Sequence, residues 1–271
     1  MKSRGVEWTP EVASNPANSV EIAIWQWPNL LSLDAPLVAV LWQAAFAKAF
    51  DVAIPLAQML LLASSVWLIY VIDRCMDSRA SILQAPRHIF HGKHRRTLLS
   101  VWLLVLALSL ALAVIALPLE IIQRGCLLAS GVVGYLLLVH TGVLRGSKEV
   151  LIAVLFSLGV TLAAWQKLPH ARGLLLIAAF AILCWANCRG IENWEHKQQG
   201  RIRVACFLSA GLASIGLALA PASITPRMLL AIPLLISSLG LWLLDAYSES
   251  LPLISLPVLA DAALLTPVLF W

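Results

Sequence analysis

The chain has 271 residues, of which 61% are hydrophobic and only 12% charged, and its mean hydropathy is +0.87. Soluble domains carry roughly 25% charged residues, so this composition excludes a water-covered globule and predicts an all-α bundle within a bilayer. The net charge of +5 is too small to argue for a nucleic-acid partner, and none is expected.

Residues 1–28 form a polar lead-in with Trp8, Trp25 and Trp27, reaching the membrane interface. No apolar run follows Lys2 and Arg4, so no cleaved signal peptide is expected. Residues 29–271 are read as one transmembrane domain. A hydrocarbon core about 30 Å thick needs roughly 20 apolar helical residues. Val52 to Ile72, Thr97 to Leu119, Gly125 to Leu144 and Val204 to Pro226 meet that length without a charge inside except at their margins. Val150 to Gln166, Gly173 to Cys188 and Met228 to Leu244 are shorter. A first span, Leu30 to Phe50, has Asp34 and Lys48 near its ends, and a last, Leu251 to Trp271, contains Asp261 and three prolines. About nine spans are thus expected. The five cysteines lie in or beside these runs without the paired spacing of a disulfide or zinc framework, and read as small apolar residues.

The basic residues orient the set. With the amino terminus inside, the outer segments hold only Lys48, Arg124, Lys167, Arg172 and Arg227 of the 19 Lys and Arg. The positive-inside rule therefore predicts a cytoplasmic amino terminus and an external carboxyl terminus in a plasma (bacterial inner) membrane. Two long inner loops, Asp73 to Arg96 and Arg189 to Arg203, follow the second and sixth spans and suggest two related halves.

The first loop carries most of the chemistry. Asp73 and Asp77 are four apart, and Tyr70 shares their helical face one turn earlier. Such a pair either caps the span and meets Arg74 or Arg79, or holds Mg2+ together with substrate phosphates. His88, His91 and His94 recur every third residue among Arg87, Arg95 and Arg96. Neighbouring cations oppose a transition metal there; the cluster suits either a phosphate group or anionic lipid headgroups. In the second loop Asn187, Ile191 and Glu195 fall at intervals of four beside Glu192, which is either a solvated segment or a poorer metal site. Asp261, an acid within an apolar run, is either functional or a cap at the interface, whereas His140 and Asp245 read as interfacial residues.

About nine spans, an inner amino terminus and acidic motifs after the second and sixth spans resemble the UbiA superfamily of intramembrane prenyltransferases, over nearly the whole chain from Leu30 to Trp271. That family's first motif has the form Asn-Asp-x-x-Asp-x-x-x-Asp; Asp73 and Asp77 match its last two acids, with Ile69 and Tyr70 in place of Asn-Asp. In the second motif Asn187 and Glu195 match the ends, while Cys188 and Ile191 replace acids. The resemblance implies transfer of a prenyl group from an isoprenyl diphosphate to a lipophilic, in some members aromatic, acceptor. Asp73, Asp77, Asn187 and Glu195 would be the Mg2+ ligands, with one ion in place of the usual two. Arg74, Arg87, His88, His91, His94, Arg95, Arg145 and Lys148 would take the diphosphate. Tyr70 would face the allylic cation. The alternatives are a UbiA-like terpene cyclase and a lipid-binding or transport protein without chemistry.

Overall fold

The computed structural model describes residues 24–77, 86–141, 148–165, 170–196, 202–218 and 225–270, and all regular structure among them is helical. A short helix α1 (Trp27–Leu30) leads into α2 (Asp34–Ala49) across a bend of 81°. The bend is made at Ser32, whose φ of 58° lies in the left-handed region, a placement that costs a non-glycine residue about 1–2 kcal/mol. Ser32 is fully buried, and side-chain contacts hold it there, as described below.

The helix α2 runs through the middle of the protein. Ala35, Ala39, Ala45 and Ala49 let neighbouring helices approach closely, while Trp42 and Phe46 fill the space between them. Trp42 stacks on Phe180 at 4.6 Å between ring centroids, and Phe46 meets Phe180 edge-on at 5.6 Å. An extended connection then leads into α3 (Leu56–Asp77), whose 22 residues reach about 33 Å at 1.5 Å rise per residue.

The expected polar loop after α3 contains a helix of its own, α4 (Pro86–Lys93), which lies against α1, α3 and the start of α5 (Arg95–Ala116). Trp27 and Phe90 meet edge to face at 6.3 Å across the α1–α4 contact. The break at Leu117 and Pro118 turns α5 into α6 (Leu119–His140). Helix α5 has no buried residue, and Leu103, Leu108 and Ile115 are largely exposed along it. An apolar face of that length suits acyl chains as its solvent.

The remaining helices form the tighter half: α7 (Lys148–Thr161), α8 (His170–Glu195), α9 (Ile202–Ala218) and α10 (Thr225–Ala246). At Gly216, a Cβ would stand 3.1 Å from the Leu176 side chain, so α8 and α9 pack there at glycine distance. Ser209 donates to the Ala179 carbonyl across the same contact at 2.8 Å.

The carboxyl-terminal segment is not one continuous helix. It is an eight-residue helix α11 (Leu256–Ala263) followed by a 3-10 turn (Thr266–Phe270). Trp42 Nε1 donates to the Leu264 carbonyl at 2.8 Å, and Thr266 Oγ1 donates to the Pro233 carbonyl at 3.0 Å. These bonds fasten the segment to α2 and α10, and the first satisfies a carbonyl at the end of α11.

Among the described residues, four helices are long and apolar enough to cross a membrane, Leu56–Met76, Arg95–Ala116, Leu119–Val139 and Gly173–Glu195, or five with the bent pair α1–α2 as one span. Ile202–Gly216 and Leu230–Ala246 are shorter apolar helices. This architecture suits an integral membrane protein.

Candidate functional site

The carboxyl-terminal turns of α3 and α8, the starts of α2, α5 and α7, and α11 converge at one end of the bundle. Successive long helices run antiparallel, so residues far apart in sequence return to the same end. Arg74, in the last turn of α3, is buried and turned inward. Its guanidinium donates to the Asn29 carbonyl and, at 3.0 Å, to Ser32 Oγ, and lies 4.0 Å from the Asp34 carboxylate. These contacts hold the Ser32 bend. The guanidinium also stands 5.7 Å from the centre of the Tyr70 ring.

Asp34 opens α2 and is buried. It accepts the Ala35 backbone N–H at 3.0 Å and the Asn29 side-chain amide, so an acid sits where the helix N-terminus favours one. The same Asn29 amide reaches Asp261 at 3.5 Å, and Asn187 Nδ2 donates to Asp261 Oδ1 at 2.9 Å. The Asp34 and Asp261 carboxyls lie within hydrogen-bonding reach of each other. Asn29, Asp34, Arg74, Asn187 and Asp261, drawn from four separate parts of the chain, thus make one buried polar network.

Beneath the network is a small, partly open pocket with about 20 Å3 of space for water-sized groups. Ala35, Val38, Ile152, Ala153, Phe156, Cys184 and Leu264 make its apolar wall; Tyr70, Asn187, Cys188 and Asp261 make its polar head. Asp73, Lys148 and Glu149 lie within electrostatic range of Cys188, which places the ends of α3 and α7 beside that head. Lys148 bridges to Glu192 at 3.1 Å, and the buried Glu149 to Arg189 at 3.4 Å.

The residues singled out from sequence fall into three groups. Tyr70 and Asn187 line the pocket, and Asp73 and Lys148 stand near its head. Arg74 and His91 are buried in protein contacts: His91 is fully enclosed, with Nε2 3.4 Å from Ser32 Oγ. His94 is exposed and its Nδ1 bonds the Phe90 carbonyl at 3.1 Å, Arg95 is half-buried at the start of α5, and Glu195 is half-buried at the end of α8. The side chains of Asp77, Arg87 and His88, and all of Arg79 and Arg145, lie outside the described residues. Residues 1–23 of the lead-in lie outside them too.

Sequence reasoning treated Asp34 as a span-end residue and passed over Asn29 and Ser32. The available signal was the crowding of Asn29, Ser32 and Asp34 at the mouth of an apolar run. Asp261 stands out in the sequence as an acid in an apolar segment, either functional or a cap.

Among the described residues no group of three or more His, Cys, Asp or Glu is placed to hold a metal ion. The described side chains therefore do not fit a protein-only magnesium cage. They leave room only for an ion that arrives with phosphate oxygens and meets one carboxylate, such as Asp73. No protein-family model matches the chain, and neither a curated protein nor a solved structure matches it.

Proposed function

We propose that this protein is an intramembrane prenyltransferase of UbiA-like architecture, moving a prenyl group from an isoprenyl diphosphate to a lipophilic acceptor. The observation that carries the reading is the pocket itself: a small apolar-walled cleft among α2, α7 and α8, whose polar head is within electrostatic range of Asp73 and Lys148. A prenyl chain needs an apolar wall, and its diphosphate needs cations at one end only. Lys148 is within electrostatic range of that head, and Arg95 opens α5 at the same end of the bundle; Mg2+ belongs to the reading as an ion brought in on the diphosphate. The nine-span topology, with the amino terminus inside, is part of the same proposal.

The test is purified protein with labelled isoprenyl diphosphate, Mg2+ and a membrane-lipid extract as acceptor source. Release of diphosphate with formation of a prenylated lipid is expected, falling at least 100-fold in Asp73→Ala and on chelation of the metal. Unchanged diphosphate with the parent protein contradicts the reading.

One observation favours a second reading. Arg74, which the resemblance assigns to the diphosphate, is spent on Asn29, Ser32 and Asp34. A lipid-binding or transport protein would use the same pocket with that network as its polar contact and no chemistry. In that case lipophilic ligands bind, while the diphosphate survives intact.

A further inference from the structure

A patch of charge lies outside the site already described. From Ser78 to Leu119 the chain contains no Asp or Glu, yet Lys93, His94, Arg95 and Arg96 follow one another at the corner where α4 meets α5. The fold sorts these cations into two groups. Arg95 is half-buried and within electrostatic range of the buried Cys75 on α3, so it belongs to the inner side. Lys93 and Arg96, which the family resemblance leaves without a role, are exposed, and among the described residues neither has a carboxylate partner. The positive end of the α5 dipole falls at the same corner, so the two charges are held where the local field disfavours them. The surface directly along α5 from them is apolar. Trp102 and Ser109 turn one line of α5 onto α3, donating to the Leu68 carbonyl and to Ser64 Oγ, each at 2.8 Å. Leu103 and Leu110 lie about 100° around the helix from that line, and they are 62% and 60% exposed. Arg96, Leu103 and Leu110 recur at every seventh residue, close to two full turns, so the guanidinium heads the same outward line as the leucines. At 1.5 Å per residue this line runs about 21 Å, more than half of a hydrocarbon core about 30 Å thick.

We infer that this corner binds an anionic phospholipid, with its phosphate head on Lys93 and Arg96 and an acyl chain along Leu103 and Leu110. A soluble phosphate or an acidic protein segment answers the two charges and leaves the leucines as they are. An amphiphile with an anionic head answers both at once. The contact of Phe90 with Trp27 and the enclosure of His91 fix α4 against the bundle, which keeps Lys93 beside the start of α5. Helix α5 does not line the pocket, so the lipid site is separate from the transferase reading and does not depend on it.

The test uses the full-length protein in phosphatidylcholine vesicles carrying a low, equal level of phosphatidylglycerol or phosphatidylcholine with a photoreactive acyl chain. Mass spectrometry locates the labels. A basic residue near an anionic headgroup is worth about a fivefold preference, so phosphatidylglycerol is expected to label Leu103 and Leu110 at least fivefold more than phosphatidylcholine does. Lys93→Gln combined with Arg96→Gln is expected to bring that ratio below twofold. Leu127 on α6, near an Arg124 already paired with Glu120, serves as the control. It is expected to take both lipids equally in parent and variant, which also reports that the variant folds. Inorganic diphosphate, added at constant ionic strength, is expected to leave the ratio at Leu103 unchanged. A ratio below twofold in the parent overturns the site, as does a full preference in the double variant. Loss of the preference on adding diphosphate gives the two cations to a soluble phosphate and overturns the lipid as occupant. A protein that keeps the preference but transfers no prenyl group counts against the transferase reading alone.

Discussion

Arg74 shows how one residue can be mistaken for a ligand contact. Read in sequence it belongs to a cationic stretch, and the family resemblance gives it to the diphosphate. In the folded chain it is the centre of a buried knot, tying the α1–α2 bend to the last turns of α3 through Asn29, Ser32 and Asp34. Removing one member of a buried ion pair leaves the other without compensation, at a cost of about 3–5 kcal/mol. Arg74→Met is therefore expected to lower the unfolding temperature sharply, whereas Arg74→Met combined with Asp34→Leu recovers much of the loss. Thermal unfolding of the four proteins in one detergent gives the coupling between the two sites, expected above about 1 kcal/mol. Additive losses would mean that Arg74 serves something other than Asp34. His91 makes the same point in a milder form: its three-residue spacing from His88 and His94 suggests a shared face, yet it is enclosed against Ser32 while His94 is exposed.

Among the elements, the carboxyl-terminal segment departs most from what periodicity implies. Its apolar length predicts a crossing helix, but Pro252, Pro257 and Pro267 each remove a backbone donor, and the segment divides into α11 and a 3-10 turn. What holds it is polar and specific, chiefly the Trp42 indole on the Leu264 carbonyl and Thr266 on Pro233. Trp42→Phe keeps most of the ring packing on Phe180 and removes only the donor. It is expected to cost about 1–3 kcal/mol, and to quicken proteolysis after α10 before the rest of the bundle opens. Proteolytic mapping checks this; equal rates in parent and variant would show that the segment is held by packing alone. The long helices were far more legible. α3, α5 and α6 follow directly from charge-free runs of about 20 residues, because in lipid an apolar chain has no better way to satisfy its backbone. Helix α4 was not legible, since eight mixed residues carry too short a period to separate a helix from a loop.

At the scale of the molecule, an all-α membrane-type bundle was readable from composition. Which atoms meet was not. Asp34, Arg74, Asn187 and Asp261 are dispersed over more than 220 residues, and nothing local in the sequence says that α11 returns to the mouth of α2. Their convergence is a property of antiparallel packing, which brings the ends of α3, α7 and α8 around Cys188 and above one apolar pocket. The helices α5 and α6 contribute little to that pocket and face outward. The central proposal is that an isoprenyl diphosphate enters there, chain first among α2, α7 and α8. A photoreactive isoprenyl diphosphate, cross-linked to the membrane-reconstituted protein and located by mass spectrometry, tests this most directly. The account predicts labels at Val38, Phe156 or Cys184 that excess unlabelled isoprenyl diphosphate removes; labels confined to the outward faces of α5 and α6, or insensitive to the competitor, would contradict it.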